Sequence, residues 1–265
     1  MNNMKQRIVL VVFAALLLSP SVRAADIEGV LAQSYIIVDI SNHSMVLQKN
    51  ASQAYPIASI TKLMNAVVTL ENIDTAKTIV LNKAMVKPEG GSPSLFLGLN
   101  VSVQNLFKAM LIQSVNDAAE SLSYVVGNKK FIGLMNQKAK DLGMVNTRYY
   151  DVHGLNPKNH STAADIAILL EYIYKNHPEI LQTTKINGFQ LPDSSGRLLT
   201  FKNLNVFSEN PDFVGGKSGY LPEAKQSMAS LFTVNGKIMA VVVLKSRNRQ
   251  TDTLALIDWV KNHGK

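Results

Sequence analysis

Along this chain short apolar runs bounded by turn residues come first, then apolar positions recur at helical spacing, then short apolar runs return. The stretch Ser34-Tyr35-Ile36-Ile37-Val38-Asp39-Ile40 reads as a strand, Ser41-Asn42-His43 as a turn, and Met45-Val46-Leu47 as the hairpin partner. After Pro56, the residues Ile60, Leu63, Met64, Val67, Val68 and Leu70 recur every three or four positions, which predicts a helix with a buried face. A mainly helical middle follows over 103–113, 117–126, 129–142 and 162–176, punctuated by turn chemistry at Gly127-Asn128 and His153-Gly154. From Lys185 the pattern returns to strands. Residues 228–234 and 237–244 are two apolar runs joined by Asn235-Gly236, a strong short-range hairpin signal. A last helix is predicted from about Thr251, with Leu254, Ile257 and Val260 at helical spacing and Gly264 as its stop.

Strands at both ends with helices between them predict an α+β fold. The expected architecture is an antiparallel sheet flanked by helices, in which the N-terminal hairpin joins the C-terminal strands. A helical subdomain is expected as an insertion over roughly 82–180. The chain has 265 residues and is 46% hydrophobic, enough for one large or two small domains with a real core.

The first residues change the picture of where the protein works. Lys5 and Arg7 make a positive start, Ile8 to Leu18 form an apolar run of 11 residues, and Val22-Arg23-Ala24 offers small residues for cleavage. Residues 1–24 therefore read as an export signal, and the run is short for a bilayer span. The expectation is a mature chain from about Ala25 to Lys265, periplasmic or secreted, with no stable membrane anchor after cleavage. Without Lys5, Arg7 and Arg23 the formal charge falls from +8 to +5. That charge is scattered among acids with no Lys/Arg run of five, so no nucleic-acid partner is expected, while attraction to an anionic polymer such as a cell wall fits. There is no Cys, which excludes disulfides, thiol catalysis and Cys-based metal sites. The five His residues, 43, 153, 160, 177 and 263, form no His-Glu-x-x-His pattern, and His160 reads as a loop residue. No metal and no cofactor are expected.

The candidate chemistry lies in three short segments. At the start of the first helix Ser59 and Lys62 stand three positions apart, so their side chains share one helical face. Burial of that helix would lower the pKa of the Lys62 ammonium, and a neutral amine beside a hydroxyl can take its proton and leave a nucleophile. The unpaired N–H groups of the helix start add a place for an oxyanion. Alone, this spacing should occur about once by chance in such a chain, and it also fits a surface Ser and Lys on an amphipathic helix. Ser-x-Asn occurs three times, at 114–116, 208–210 and 246–248; only Ser114-Val115-Asn116 lies between two predicted helices, where it also fits a helix cap. Lys217-Ser218-Gly219 occurs once, among glycines at the head of the C-terminal strands, where a ligand could approach closely. A solubilising edge-strand lysine is the other reading of Lys217.

Taken in order, Ser-x-x-Lys, Ser-x-Asn and Lys-Ser-Gly resemble the motif set of penicillin-binding proteins and serine β-lactamases. The resemblance extends through Pro56 to Leu70, Gln113 to Ala119, Gly154-Leu155-Asn156, His160 to Asp165 and Val214 to Tyr220, nearly the whole mature chain. These segments look like the low-molecular-mass D-alanyl-D-alanine carboxypeptidase and endopeptidase family, closest to the short periplasmic DD-endopeptidase type. Val115 stands where Gly or an acid is frequent, and Ser218 replaces the commoner Thr while keeping its hydroxyl.

The resemblance implies a β-lactamase/transpeptidase-like fold and a penicillin-sensitive serine peptidase acting on peptidoglycan stem peptides through an acyl-enzyme, with β-lactams as inhibitors. It implies Ser59 as nucleophile, Lys62 as base, Ser114 as proton relay to the leaving amine, and Asn116 as the residue placing Lys62 and the substrate amide. Lys217 and Ser218 would hold the substrate carboxylate, on the Lys217-Ser218-Gly219-Tyr220 strand. Backbone N–H groups of Ser59 and Tyr220 would hold the oxyanion. Arg249 matches a carboxylate-gripping Arg of the family, with Arg247 as competitor. A β-lactamase would need a deacylating Glu on a long loop, and 154–162 contains none, so fast antibiotic hydrolysis is not expected. The alternative is a non-hydrolytic or slow-acylating penicillin or cell-wall binding protein; a complete set of nucleophile, base and anchor argues against it.

Overall fold

The computed structural model describes residues 27–86 and 95–263; the signal expected over 1–24 and the helix stop at Gly264 lie outside them. In chain order the elements are strands β1 (Ser34–Asp39), β2 (Ser44–Lys49) and β3 (Tyr55–Pro56), a 3-10 turn (Ala58–Ile60), helix α1 (Thr61–Asn72), and strands β4 (Thr78–Val80) and β5 (Asn100–Ser102). Helices α2 (Val103–Ile112), α3 (Asn116–Tyr124) and α4 (Asn128–Asp141), strand β6 (His160–Ser161), and helices α5 (Ala163–Asn176) and α6 (Pro178–Lys185) form the middle. Strands β7 (Gly188–Pro192), β8 (Leu198–Lys202), β9 (Phe213–Leu221), β10 (Lys225–Val234) and β11 (Lys237–Ser246) and helix α7 (Arg249–His263) complete the chain.

The main sheet runs β2-β1-β11-β10-β9, and every neighbouring pair is antiparallel. The N-terminal hairpin does join the C-terminal strands: Ile37 pairs with Val241 and Ile36 with Val242. The tight β10–β11 turn at Asn235 and Gly236 puts both residues at positive φ, 51° and 76°, the geometry Asn-Gly supplies.

The period of two sorts β11 between two cores. Met239, Val241 and Val243 pack with Tyr35, Ile37, Phe213, Phe232 and, from α7, Leu256, Ile257 and Val260. Ala240, Val242 and Leu244 face the other way into the large cluster that includes α1, α2, α3 and α5. A strand covered on both faces has no reason to alternate with polar residues, which is why 237–244 reads as one apolar run.

One helix was not expected and one expectation is corrected. Pro178 opens α6 in a stretch for which no element was predicted, because proline is tolerated at a first helical position where its missing N–H has no partner to lose. His160, expected in a loop, pairs with Pro56 in the short β3–β6 ladder. Among the described residues no helix is long and apolar enough to cross a membrane.

Candidate active site

Ser59 sits in the 3-10 turn that enters α1, and the turn is held from both sides by glycines. Gly154 has φ +92°, and a Cβ there would stand 2.0 Å from the Ala58 carbonyl oxygen. On the β9 side, a Cβ on Gly219 would meet the Ile57 carbonyl at 2.9 Å and the Ser59 nitrogen at 3.0 Å. Only glycine lets both backbones close on the serine. Ala58 itself is held at φ 48°, a left-handed conformation that costs a non-glycine residue free energy and must be imposed by its surroundings.

From the first turn of α1, Lys62 is buried completely and its Nζ meets three oxygens. It stands 3.0 Å from Ser59 Oγ, donates to Asn116 Oδ1 at 2.7 Å, and donates to the His153 carbonyl at 2.6 Å. Burial, and then the nearby charge of Lys217, push its pKa well below the ordinary lysine value, against a smaller opposing pull from Asp151. The two carbonyl acceptors occupy both N–H groups of a neutral amine, so its lone pair is left for the serine hydroxyl.

Asn116 reaches Lys62 because the chain turns sharply between α2 and α3. Ser114 lies in that hinge at φ 60°, half-buried, two residues before the start of α3. The other two Ser-x-Asn matches have local duties. Ser246 Oγ donates to Asp252 Oδ2 at 2.5 Å, Asn248 Oδ1 caps the start of α7 by accepting from the Gln250 and Thr251 N–H groups, and Asn210 lies in a turn before β9.

Lys217, Ser218 and Gly219 lie on β9, the sheet edge that closes on the Ser59 turn. Lys217 is buried, and its Nζ donates to the Ser218 carbonyl at 3.1 Å. Burial, reinforced by the charge of Arg249, lowers its pKa to about 7. Tyr220 is 62% exposed, at the open end of the strand. Arg249 is the first residue of α7 and not, as the sequence suggests, a residue before it. Its Nη1 donates to the Gly219 carbonyl at 3.3 Å, and its Nε is buried without a hydrogen-bond partner among the described residues. Arg247 is exposed. The geometry separates these two arginines where the sequence left them level.

Sequence reasoning missed Asp151, His153 and Asn159. His153 contributes a backbone carbonyl, for which no side-chain motif exists. An Asp followed by Gly three residues on is the one available signal, since Asp accepts from its own following N–H groups in such turns. A cavity of about 400 Å³ opens beside Asn116 and this loop, lined by Asp117, Glu120, Asp151, His153, Leu155 and Asn156 as well. Among the described residues no group of three His, Cys, Asp or Glu side chains is placed to hold a metal ion.

Comparison with known proteins gives the family of the chain. Residues 21–248 match the D-alanyl-D-alanine carboxypeptidase family. The chain is 33% identical over 225 residues to a D-alanyl-D-alanine endopeptidase of Haemophilus influenzae, covering 82% of this chain and 76% of that one. It is 32% identical over 242 residues to the D-alanyl-D-alanine endopeptidase of Escherichia coli, 86% and 76% of the two chains. With D-alanyl-D-alanine carboxypeptidase DacC of Escherichia coli it shares 31% identity over 259 residues, 89% of this chain and 63% of that one. A crystal structure of a D-alanyl-D-alanine carboxypeptidase from Mycobacterium tuberculosis superposes with a TM-score of 0.82 at 24% identity, covering 90% and 94%, a likeness of fold. A Streptomyces K15 DD-transpeptidase variant gives 0.79 at 26% identity over 87% and 97%.

Proposed function

The chain belongs to the D-alanyl-D-alanine carboxypeptidase family and is a serine-type DD-peptidase, and from that premise we propose that Ser59 opens D-alanyl peptide bonds of peptidoglycan through an acyl-enzyme. The observation that carries this reading is the buried Lys62 Nζ, 3.0 Å from Ser59 Oγ with both N–H groups spoken for.

Ser59 Oγ attacks the D-Ala carbonyl carbon as its proton passes to the Lys62 lone pair. The oxyanion is held by the Ser59 and Tyr220 backbone N–H groups. The C–N bond breaks, and the leaving amine takes a proton by way of Ser114. Water then opens the ester, returning a proton to Ser59 and releasing the acid. Lys217 and Ser218 hold the substrate's terminal carboxylate, and the unfilled Nε of Arg249 adds a donor. A β-lactam enters as the same kind of acyl donor, so peptidoglycan stem peptides and β-lactams share this cleft. Residues 1–24 serve as an export signal that brings the enzyme to its periplasmic or extracellular substrate.

Fluorescent penicillin should label the protein covalently and leave the Ser59→Ala variant unlabelled; a labelled Ser59→Ala would remove Ser59 as nucleophile. Digestion of purified peptidoglycan, read by mass spectrometry, separates the two activities of the family: free D-alanine marks a carboxypeptidase, and dimers turned to monomers mark an endopeptidase.

A further inference from the structure

Asp151 organises the loop between α4 and β6. Its Oδ1 accepts from the His153 N–H at 3.1 Å, the Gly154 N–H at 2.6 Å and Asn159 Nδ2 at 2.8 Å. Its Oδ2 accepts from the Asn156 N–H at 2.6 Å and stands 3.2 Å from His153 Nδ1. A carboxylate offers about four acceptor positions, and donors occupy them here. Burial raises the Asp151 pKa, but His153 and the N–H groups outweigh it, and the carboxyl is held at about 2.

Three of the residues this carboxylate fixes touch the nucleophile's surroundings. The His153 carbonyl receives Lys62 Nζ. Gly154 backs onto Ala58, the residue before Ser59. Asn159, which is fully buried, also donates to Thr61 Oγ1 at 3.1 Å, and its carbonyl accepts from the Ile57 N–H at 3.1 Å. The positions flanking Ser59 are thus fastened to the loop that Asp151 shapes.

A neutral amine has two N–H groups and one lone pair. Asn116 Oδ1 and the His153 carbonyl can only accept, so together they consume both N–H groups. Were the His153 carbonyl to swing away, Nζ could turn an N–H toward Ser59 and lose the orientation of a base. We propose that Asp151 is a positioning residue of the peptidase: by ordering residues 153–156 it sets the His153 carbonyl that aims the Lys62 lone pair at Ser59 Oγ. This rests on the reading of Lys62 as the base for Ser59.

Asp151 also acts through its charge. Lys217 drives the Lys62 pKa down and Asp151 opposes it; Arg249 acts in turn on Lys217, and His153 stands between Asp151 and Glu120, with 3.5 Å from its Nε2 to the Glu120 carboxylate. Replacing Asp151 by a neutral residue lets the Lys62 pKa fall further. A base with a lower pKa is free at lower pH, so the acid limb of acylation moves down the pH scale.

The test is the rate of acylation by fluorescent penicillin against pH, for the full chain, Asp151→Asn and Asp151→Glu. Asp151→Asn puts an N–H₂ among donors and removes the charge; acylation should slow by roughly 10- to 100-fold at its optimum, as expected for a lost hydrogen bond to a charged group. Its acid limb should also move to lower pH. Asp151→Glu keeps the charge and misplaces the acceptors, so it should slow acylation with the limb at the wild-type pH. A folded Asp151→Asn with wild-type rate, or one slowed with an unmoved limb, overturns the proposal. If Asp151→Asn does not fold, a wild-type rate for Asp151→Glu overturns it and a slowed rate with the wild-type limb supports it. Failure of penicillin to label the unaltered protein overturns the Lys62 reading and this proposal together, whereas normal labelling with an indifferent Asp151 overturns this proposal alone.

Discussion

Lys62 Nζ and Asn116 Oδ1 stand 2.7 Å apart across 54 positions of sequence. The contact joins the first turn of α1 to the first residue of α3, and it fixes an amine that the proposed mechanism needs uncharged and aimed. Lys62→Arg tests that need, because a guanidinium stays protonated and cannot take the serine proton. Acylation by fluorescent penicillin should fall by roughly 100- to 10,000-fold, the contribution of a positioned general base. A variant that still acylates within a few fold of wild type would show that another group deprotonates Ser59.

Lys217 predicts a basic limb. With its pKa lowered to about 7 by burial and Arg249, the free enzyme carries the full positive charge below that pH and loses it above. For substrates with a free C-terminal carboxylate, kcat/KM should therefore fall as pH rises through about 7, since kcat/KM reports free-enzyme groups. An analogue with an amidated C-terminus should lack that limb. The same limb in both substrates would disconnect Lys217 from the carboxylate.

Arg249 and Arg247 should part company. Removing the half-buried Arg249, whose Nη1 meets the Gly219 carbonyl, should raise KM for carboxylate-bearing substrates by roughly 10-fold or more, as for a charge-assisted hydrogen bond. Arg247→Ala, at an exposed position, should leave KM within about twofold. Steady-state kinetics of the two variants on one peptide decides it.

Two glycine substitutions should have opposite signs. Gly154→Ala places a Cβ 2.0 Å from the Ala58 carbonyl oxygen at φ +92°, which should cost on the order of 2–4 kcal/mol of stability and disturb Ser59 labelling. Gly133→Ala, in the middle of α4 with nothing within 4 Å of the new methyl, should stabilise by roughly 0.5–1 kcal/mol and leave labelling alone. Thermal melting and penicillin labelling of both variants check the pair.

Much of the fold was legible because its signals are local. The Asn235-Gly236 turn, the apolar run of β11 and the helical recurrence after Pro56 each follow from side-chain period and turn chemistry within about ten residues. Helix α6 was lost because Pro178 carries two meanings, helix stop and first helical residue, and only the packing of Ile180 and Leu181 into the core selects one. The cluster Pro192-Asp193-Ser194-Ser195-Gly196 announces a turn between β7 and β8, but not the register that stacks Phe189 on Phe201, which a loop of that length does not fix.

By itself the sequence determined the chemical inventory: a Ser and a Lys on one helical face, a Ser-x-Asn between helices, a Lys-Ser-Gly among glycines, and the sheet-and-helix order that carries them. These are properties of residue type and near-neighbour spacing. Only the tertiary structure decided that Lys62 loses its water and meets Asn116 and the His153 carbonyl, that Arg249 and not Arg247 reaches β9, and that Asp151 ties the loop behind Ser59. The reason is physical: desolvation, carbonyl direction and the approach of one backbone to another arise from segments distant in sequence, and no stretch of chain contains its own surroundings.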